Sequence, residues 1–533
     1  MTRLLIPALA IPISMLLHSC ANIASPTGGP KDDKKPKLTK TFPKNGSTNF
    51  KGKEVKFVFS EWIAENKLKE QTIITPEIKE YETFISKNAL TFKFDTSALK
   101  KNTTYYINLR NGIKDLTEGN SSDSNTVIFS TGAYIDSLFI SGSVKTALEN
   151  EAIKNISVNL YLDSDTFDVT KETPLYQTKT EANGNFTITN IKPGQYLLFA
   201  INDENKNSKY EADKEYIGYL NSKIDLTNSI SDLYIKTVKE DHAKTKVKYI
   251  EKKKKALSTL EFNKELKNLE ISTLKGNGIK VYPKINDNKV ILYPDKVSND
   301  STTLLLISED KIGNNGRDTV QLVFSYSDTS KCSIEIVSGS KTELEPTQPI
   351  EIELSKAYSE FKPELTIKTK GKVYKNNEFT EIATITENKA KGSITIKPID
   401  SWKDTVQITV FPASFKPVNG YLKDTLKLKY SLKNFENFGS IGGKVECNTE
   451  KIIVQLLSKD GKLIKEVFGK KDYLFEYLTD GEYKVRVIED KNDNKMWDQG
   501  DYRTKTLLEP VFHYADVIKL KSNWEILDVK ISF

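Results

Sequence analysis

Short runs in which apolar and polar residues alternate recur along the chain. Examples are Val55-Lys56-Phe57-Val58-Phe59, Leu90-Thr91-Phe92-Lys93-Phe94 and Val158-Asn159-Leu160-Tyr161-Leu162. Later ones are Ile350-Glu351-Ile352-Glu353-Leu354, Ser393-Ile394-Thr395-Ile396 and Tyr483-Lys484-Val485-Arg486-Val487. A period of two places alternate side chains on one face, the mark of a half-buried strand. Turn pairs punctuate these runs at Asn45-Gly46, Asn183-Gly184, Pro193-Gly194, Asp460-Gly461 and Asp480-Gly481. Many short strands with frequent turn signals predict an all-β chain of sandwiches. The exceptions are a short helix expected near 60–69 and the basic run Lys252–Lys255, read as a solvated linker face.

The first twenty residues follow a different rule. They read MTRLLIPALAIPISMLLHSC. Arg3 and the amine form a positive start, and Leu4 to Leu17 is apolar but too short for a stable bilayer span, which is a signal-peptide layout. The ending Leu17-His18-Ser19-Cys20 resembles a bacterial lipobox, with His18 an unusual member. That resemblance implies cleavage after residue 19 and acylation of Cys20. An ordinary secretory leader with an incidental cysteine is the alternative. Several acyl chains anchor a protein stably to a membrane surface without spanning it. Residues 20–38 hold the lipidated Cys and a tether rich in Pro, Gly, Ser and charge. Ala21 in place of Asp implies an outer membrane, by resemblance. The run Lys31-Asp32-Asp33 is similar in composition to acidic surface-export signals, though it lies well downstream.

Internal repeats divide the remainder. Residues 39–132 carry Phe42-Pro43-Lys44-Asn45-Gly46-Ser47, then VKFVFSEWI, LTFKFDTSALKKNTTYYINL and TVIFSTG. This resembles the bacterial Ig-like domains of surface-layer and envelope proteins. A similar order recurs at 333–432, and 248–328 reads as a degenerate member. A second repeat spans 138–237 and 438–533, the latter with C-terminal strands. Each has a Gly-containing opening strand (SLFISGSV, FGSIGGKV) and a turn, Pro193-Gly194-Gln195-Tyr196 or Asp480-Gly481-Glu482-Tyr483. These resemble prealbumin-like, or carboxypeptidase-regulatory-like, sandwiches, in which Gly serves a tight turn and Tyr packs across it. The implied architecture is tandem Ig-like and prealbumin-like β-sandwiches after the signal peptide at 1–19 and the tether.

The charge balance narrows the function. The 533 residues include 79 basic and 72 acidic ones, a net charge of +7, with the signs interleaved. That is a solvated surface and gives no nucleic-acid footprint. Three Cys and three His, one of each in the first twenty residues, are too few for a disulfide framework or most zinc sites. No G-x-S-x-G, H-E-x-x-H, C-x-x-C or Walker-type motif occurs. No catalytic residue is assigned, and the chain is read as no enzyme. His242 is read as a surface residue, His513 as core or surface, and Cys332 and Cys447 as small hydrophobes. Asp136-Ser137-Leu138, Asp318-Thr319-Val320, Asp404-Thr405-Val406 and Asp424-Thr425-Leu426 resemble a short O-glycosylation motif of some Gram-negative envelopes.

One polar constellation points to chemistry. The loops 203–216 and 490–502 share Asp-x-Asn-x-Asn-x-x-aromatic-acidic. Oxygen ligands at alternate positions suit a hard cation, as in the first half of an EF-hand loop. Asp203, Asn205, Asn207, Glu211 and Glu215 are the candidates in the first loop. Asp490, Asn492, Asn494, Asp498 and Asp501 are their counterparts in the second. Neither loop has Gly at the sixth position or flanking helices, and Asn and Asp also serve turns in solvated hairpins. The metal, where bound, is expected to be structural calcium.

These features imply a non-enzymatic outer-membrane lipoprotein that binds or scaffolds. The expected partners are the membrane, through the N-terminal anchor, and an integral outer-membrane β-barrel protein or assembly complex. A cell-surface adhesin or glycan-binding protein is the alternative, with Trp62, Trp402, Trp497 and Trp524 as the aromatics to inspect.

Overall fold

The computed structural model describes residues 32–533 apart from 124, 254–256, 277, 327 and 338–341. The signal peptide, Cys20 and most of the tether therefore lie outside the described residues, as do Lys254 and Lys255. Among the described residues, no helix is long and apolar enough to cross a membrane. The chain is all-β, as the alternating runs predict. The helix expected near 60–69 shrinks to one turn, Leu68–Gln71, entered from a left-handed Lys67 without a side-chain cap. Much of that stretch extends instead, with Ile63–Glu65 paired to Ile113–Asp115.

The chain divides into two compact units. One comprises residues 32–139 with 175–177 and 188–193. The other comprises 140–174, 178–187 and 194–533. In the first unit, Leu38–Phe42, Glu54–Phe59, Ala89–Lys93 and Glu82–Ser86 form an antiparallel sheet in that order. A second sheet joins Ile73–Thr75, Thr104–Asn108 and Thr126–Ser130. Val55 faces Phe92 and Phe57 faces Leu90 across one ladder. Alternation thus delivers both strands' apolar residues to one core with Tyr105, Ile107 and Phe129. Burying each such side chain is worth about 1.5–3 kcal/mol.

The second unit begins and ends with the two halves of the second repeat. In the earlier half, Leu138–Thr146 runs parallel to Ile230–Lys239, and Ser157–Leu162 pairs antiparallel with Gly194–Ile201. In the later half, Gly439–Glu446 runs parallel to Glu525–Ser532, and Ile452–Ser458 pairs with Gly481–Glu489. Both parallel ladders slip register at a glycine, between Ile140 and Gly142 and between Ile441 and Gly443. A Cβ on Gly142 would lie 2.1 Å from the Leu233 carbonyl oxygen, and one on Gly443 1.8 Å from that of Val529. The opening glycines therefore permit close backbone approach at a bulge. The Tyr196 and Tyr483 rings do lie across Gly194 and Gly481.

Between these halves lie two further groups of strands. Leu266–Lys275, Ser298–Asp310 and Asn315–Phe324 form a sheet that shares a core with Leu257–Phe262 and Lys289–Pro294. Farther on, Ile350–Leu354 and Ser393–Pro398 enclose a core with Leu365–Thr369, Val406–Val410 and Leu426–Leu432. Trp402 and Cys332 are buried in it. Cys447 is half-buried, and both thiols are free.

Candidate functional site: two matched acidic loops and the junction beside them

The first acidic loop leaves Gly194–Ile201 and enters Tyr216–Tyr219. The second leaves Gly481–Glu489 and ends near Val511–His513. Their sequences impose the same turn chemistry. Asp203 Oδ1 accepts from Asn207 N (3.0 Å) and Oδ2 from Ser208 N (2.9 Å). Asp490 does the same for Asn494 N (3.1 Å) and Lys495 N (2.9 Å). Asn205 and Asn492 each accept the same amides, Asn207 N and Asn494 N. Asn207 accepts from Lys209 N and Asn494 from Met496 N, both at 2.8 Å. Lys206 and Ser208, and their counterparts Asp493 and Lys495, are left-handed, with φ between 58° and 63°. Short polar side chains that bond nearby amides suit this winding.

An acidic side chain closes each loop, and here the structure corrects the sequence reading. Glu215 accepts from Glu204 N (3.1 Å) and Glu211 N (3.0 Å). In the second loop the same two positions donate to Glu509: Lys491 N at 2.7 Å and Asp498 N at 3.1 Å. Glu509 therefore occupies the place expected for Asp501. It was missed because the second loop carries an insertion after Asp498. The only sequence signal was an acidic residue just before the next strand. Asp501 turns elsewhere, capping the short helix Tyr502–Thr504 and pairing with Arg503.

Hydrogen bonds link several of the other predicted residues. Asn205 Nδ2 donates to Glu211 and Asn492 Nδ2 to Asp498, both at 2.6 Å. Glu215, Asp490 and Glu509 are buried. Burial raises the Glu215 and Glu509 carboxyls above the usual range, and neighbouring carboxylates add to it: Asp203 and Glu211 for one, Asp498 and Asp490 for the other. The loops differ in charge pairing: Lys214 Nζ sits 2.9 Å from Glu211 in the first, and in both loops the Asp203 and Asp490 oxygens are already engaged by loop amides. Trp497 anchors the second loop, its indole N–H donating to the Glu509 carbonyl (3.1 Å). Tyr210 is buried at the matching place in the first.

The second loop also reaches the earlier half-repeat. The Tyr502 ring lies edge-on to Phe199, Tyr210 and Tyr219, with centroids 5.8, 6.0 and 5.8 Å away. Its hydroxyl accepts from Val169 N (3.2 Å), and its backbone N–H donates to Glu240 Oε1 (2.9 Å). Gln499 bonds both backbone groups of Asp241, at 3.0 and 2.8 Å. Lys264 bridges Asp241 (2.5 Å) and Asp310 (3.1 Å), and Asn314 donates to the Asp241 carbonyl (2.8 Å). Leu148, on the earlier half-repeat, gives its carbonyl to Arg486 and to the His513 ring, both at 2.8 Å. Glu240-Asp241-His242 is thus a junction of three strand groups. His242 is not the surface residue expected, for its side chain is only 17% exposed. Nothing local in the sequence marks this, since Gln499, Asp501 and Tyr502 come from about 260 residues away.

Residues 32–131 match the bacterial Ig-like domain family. No curated protein sequence matches the chain. Among solved structures, the Bacillus anthracis TIE protein is 10% identical over 95% of this chain and 75% of its own, with a TM-score of 0.13. The S-layer protein rSbsC is 12% identical over 92% of this chain and 67% of its own, with a TM-score of 0.15. BcpA, the major pilin subunit of Bacillus cereus, is 11% identical over 75% of this chain and 99% of its own, with a TM-score of 0.14. At such scores the likeness carries no argument about function.

Proposed function

We propose that this chain is a non-enzymatic envelope lipoprotein, acylated at Cys20 and lodged in the outer membrane, that scaffolds an integral outer-membrane β-barrel protein or assembly complex. The observation that carries the reading is the use made of the most distinctive polar groups. The junction at Glu240–His242 and the loop ending in Tyr502 tie sandwich to sandwich. Braced sandwiches hold loops and strand edges in fixed register for a partner. The Ig-like match at 32–131 supports a β-sandwich whose loops and strand edges are available to a partner.

Calcium in the two matched loops belongs to the same proposal. Asp203, Asn205, Asn207, Glu211 and Glu215 would hold one ion, and Asp490, Asn492, Asn494, Asp498 and Glu509 another. Its role would be to neutralise clustered carboxylates and stiffen the loops. Extracellular sites of this kind bind on the order of 10⁻⁴–10⁻³ M.

Affinity purification of the tagged lipoprotein in mild detergent, with mass spectrometry, tests the reading. A stoichiometric outer-membrane barrel partner is expected. Recovery of the protein alone would overturn the scaffold role in favour of adhesion or glycan binding. Trp62 and Trp524, the exposed tryptophans, would then be the first to substitute.

A further inference from the structure

Glu240, His242 and Asp501 bring one donor atom each within 4.8 Å of one another. His242 Nε2 lies 3.6 Å from Glu240 Oε2 and 3.8 Å from Asp501 Oδ1. It is shut off from solvent and makes no hydrogen bond. The nitrogen thus faces two carboxylates at ion-pair distance yet hydrogen-bonds to neither. A buried ring nitrogen without a hydrogen bond costs about 1–3 kcal/mol, which an ion held between the three groups would recover.

We propose that Glu240, His242 and Asp501 bind a divalent transition ion of the zinc class. Zinc takes His nitrogen at about 2.0–2.1 Å and carboxylate oxygen at about 2.0–2.2 Å, so tetrahedral donors stand roughly 3.4 Å apart. The two separations from His242 Nε2 need a contraction of only a few tenths of an ångström. One neutral imidazole and two carboxylates balance a double positive charge.

The groups behind the donors are already in place. Tyr502 N and Tyr210 Oη donate to Glu240, at 2.9 and 3.3 Å. Arg503 holds Asp501 through its backbone N–H (2.8 Å) and Nε (3.1 Å). Asp213 accepts from His242 N (2.8 Å). Such outer partners orient metal ligands and tune them, and the Arg503 charge moderates affinity here. His242 and Asp501 also line a cavity of about 480 Å³ beside the site. The ion would staple the end of the earlier half-repeat to the second loop of the later one. The site uses none of the oxygens assigned to calcium and does not depend on that reading.

The test is calorimetric titration of zinc chloride into the chelator-stripped mature chain in detergent, with calcium in excess and Cys447→Ser to remove the half-buried thiol. Cobalt absorption then reports the ligand set. One zinc per chain is expected, with cobalt d–d bands free of thiolate charge transfer. His242→Ala and Glu240→Gln should each weaken binding at least tenfold and leave the calcium response unchanged. His242→Gln, which keeps size and polarity, replaces the alanine variant if circular dichroism shows that variant misfolded. No zinc binding near neutral pH, or binding unaltered by both the His242 and Glu240 changes, overturns the proposal.

Discussion

Tyr502→Ala should loosen the contact between the two half-repeats without unfolding either. The ring is 4% exposed and belongs to the later half-repeat, yet its neighbours Phe199, Tyr210 and Tyr219 belong to the earlier one. Truncating a buried aromatic to Ala costs about 3–5 kcal/mol. Three edge-on ring pairs of about 0.5–1.5 kcal/mol each lie within that figure. Losing the hydroxyl alone orphans Val169 N, worth about 1–3 kcal/mol. Tyr502→Phe should therefore cost a fraction of what Tyr502→Ala costs. The chain has several cores, so a single unfolding free energy is ill-defined. Native-state hydrogen exchange is the right assay, because it reads local opening. Protection should fall at Val169 and Tyr502 and hold in strands such as Val454–Leu456. A loss under about 1 kcal/mol at these amides, or equal losses for the Phe and Ala variants, would refute the assignment of Tyr502 as a plug between modules.

Four other outcomes are expected. Gly443→Ala drives a Cβ into the Val529 carbonyl and should destabilise the later half-repeat by about 1–3 kcal/mol or more, seen as a drop in Tm; Gly142→Ala should act likewise at Leu233. Chelation should lower Tm, and Glu509→Gln or Asp490→Ala should each remove part of that effect, whereas an unchanged Tm on chelation argues against calcium. Hydrogen bonds from Lys171 and Thr170 hold the Asp168 carboxyl down at about 2, against about 3.9 unfolded. Its stabilisation is present above about pH 4 and is lost as pH falls toward 2, so Asp168→Asn should flatten that part of the acid-unfolding curve. Cys20→Ala should abolish labelling by radioactive palmitate and release the protein from membranes, measured by fractionation.

Strands were legible because their cause is local. A period of two in Val55–Phe59 or Tyr483–Val487 must put alternate residues on one face, and nothing elsewhere in the chain is needed to read it. The expected helix near 60–69 failed for a tertiary reason: Ile63–Glu65 finds a partner strand at Ile113–Asp115. The acidic loops were legible for the same local reason as the strands. Asp bonds amides four or five residues on and Asn amides two residues on, so Asp203–Asn207 and Asp490–Asn494 wind alike whatever surrounds them.

Closure of the second loop was not legible. Glu215 lies four residues beyond Glu211, but Glu509 lies eleven beyond Asp498, and only the return of the chain toward Val511–His513 brings it in. The role of His242 was equally hidden. Its setting is made by Gln499, Asp501 and Tyr502, and contacts across about 260 residues leave no periodicity. By itself, then, the sequence determined the all-β architecture, the repeats and the winding of both loops, all fixed by interactions within a few residues. Tertiary structure alone decided which carboxylate closes the second loop, that Gly142 and Gly443 admit a neighbouring carbonyl, and that a histidine is enclosed between two acids. Those depend on which distant segments pack together, and packing is chosen by the fit of whole surfaces.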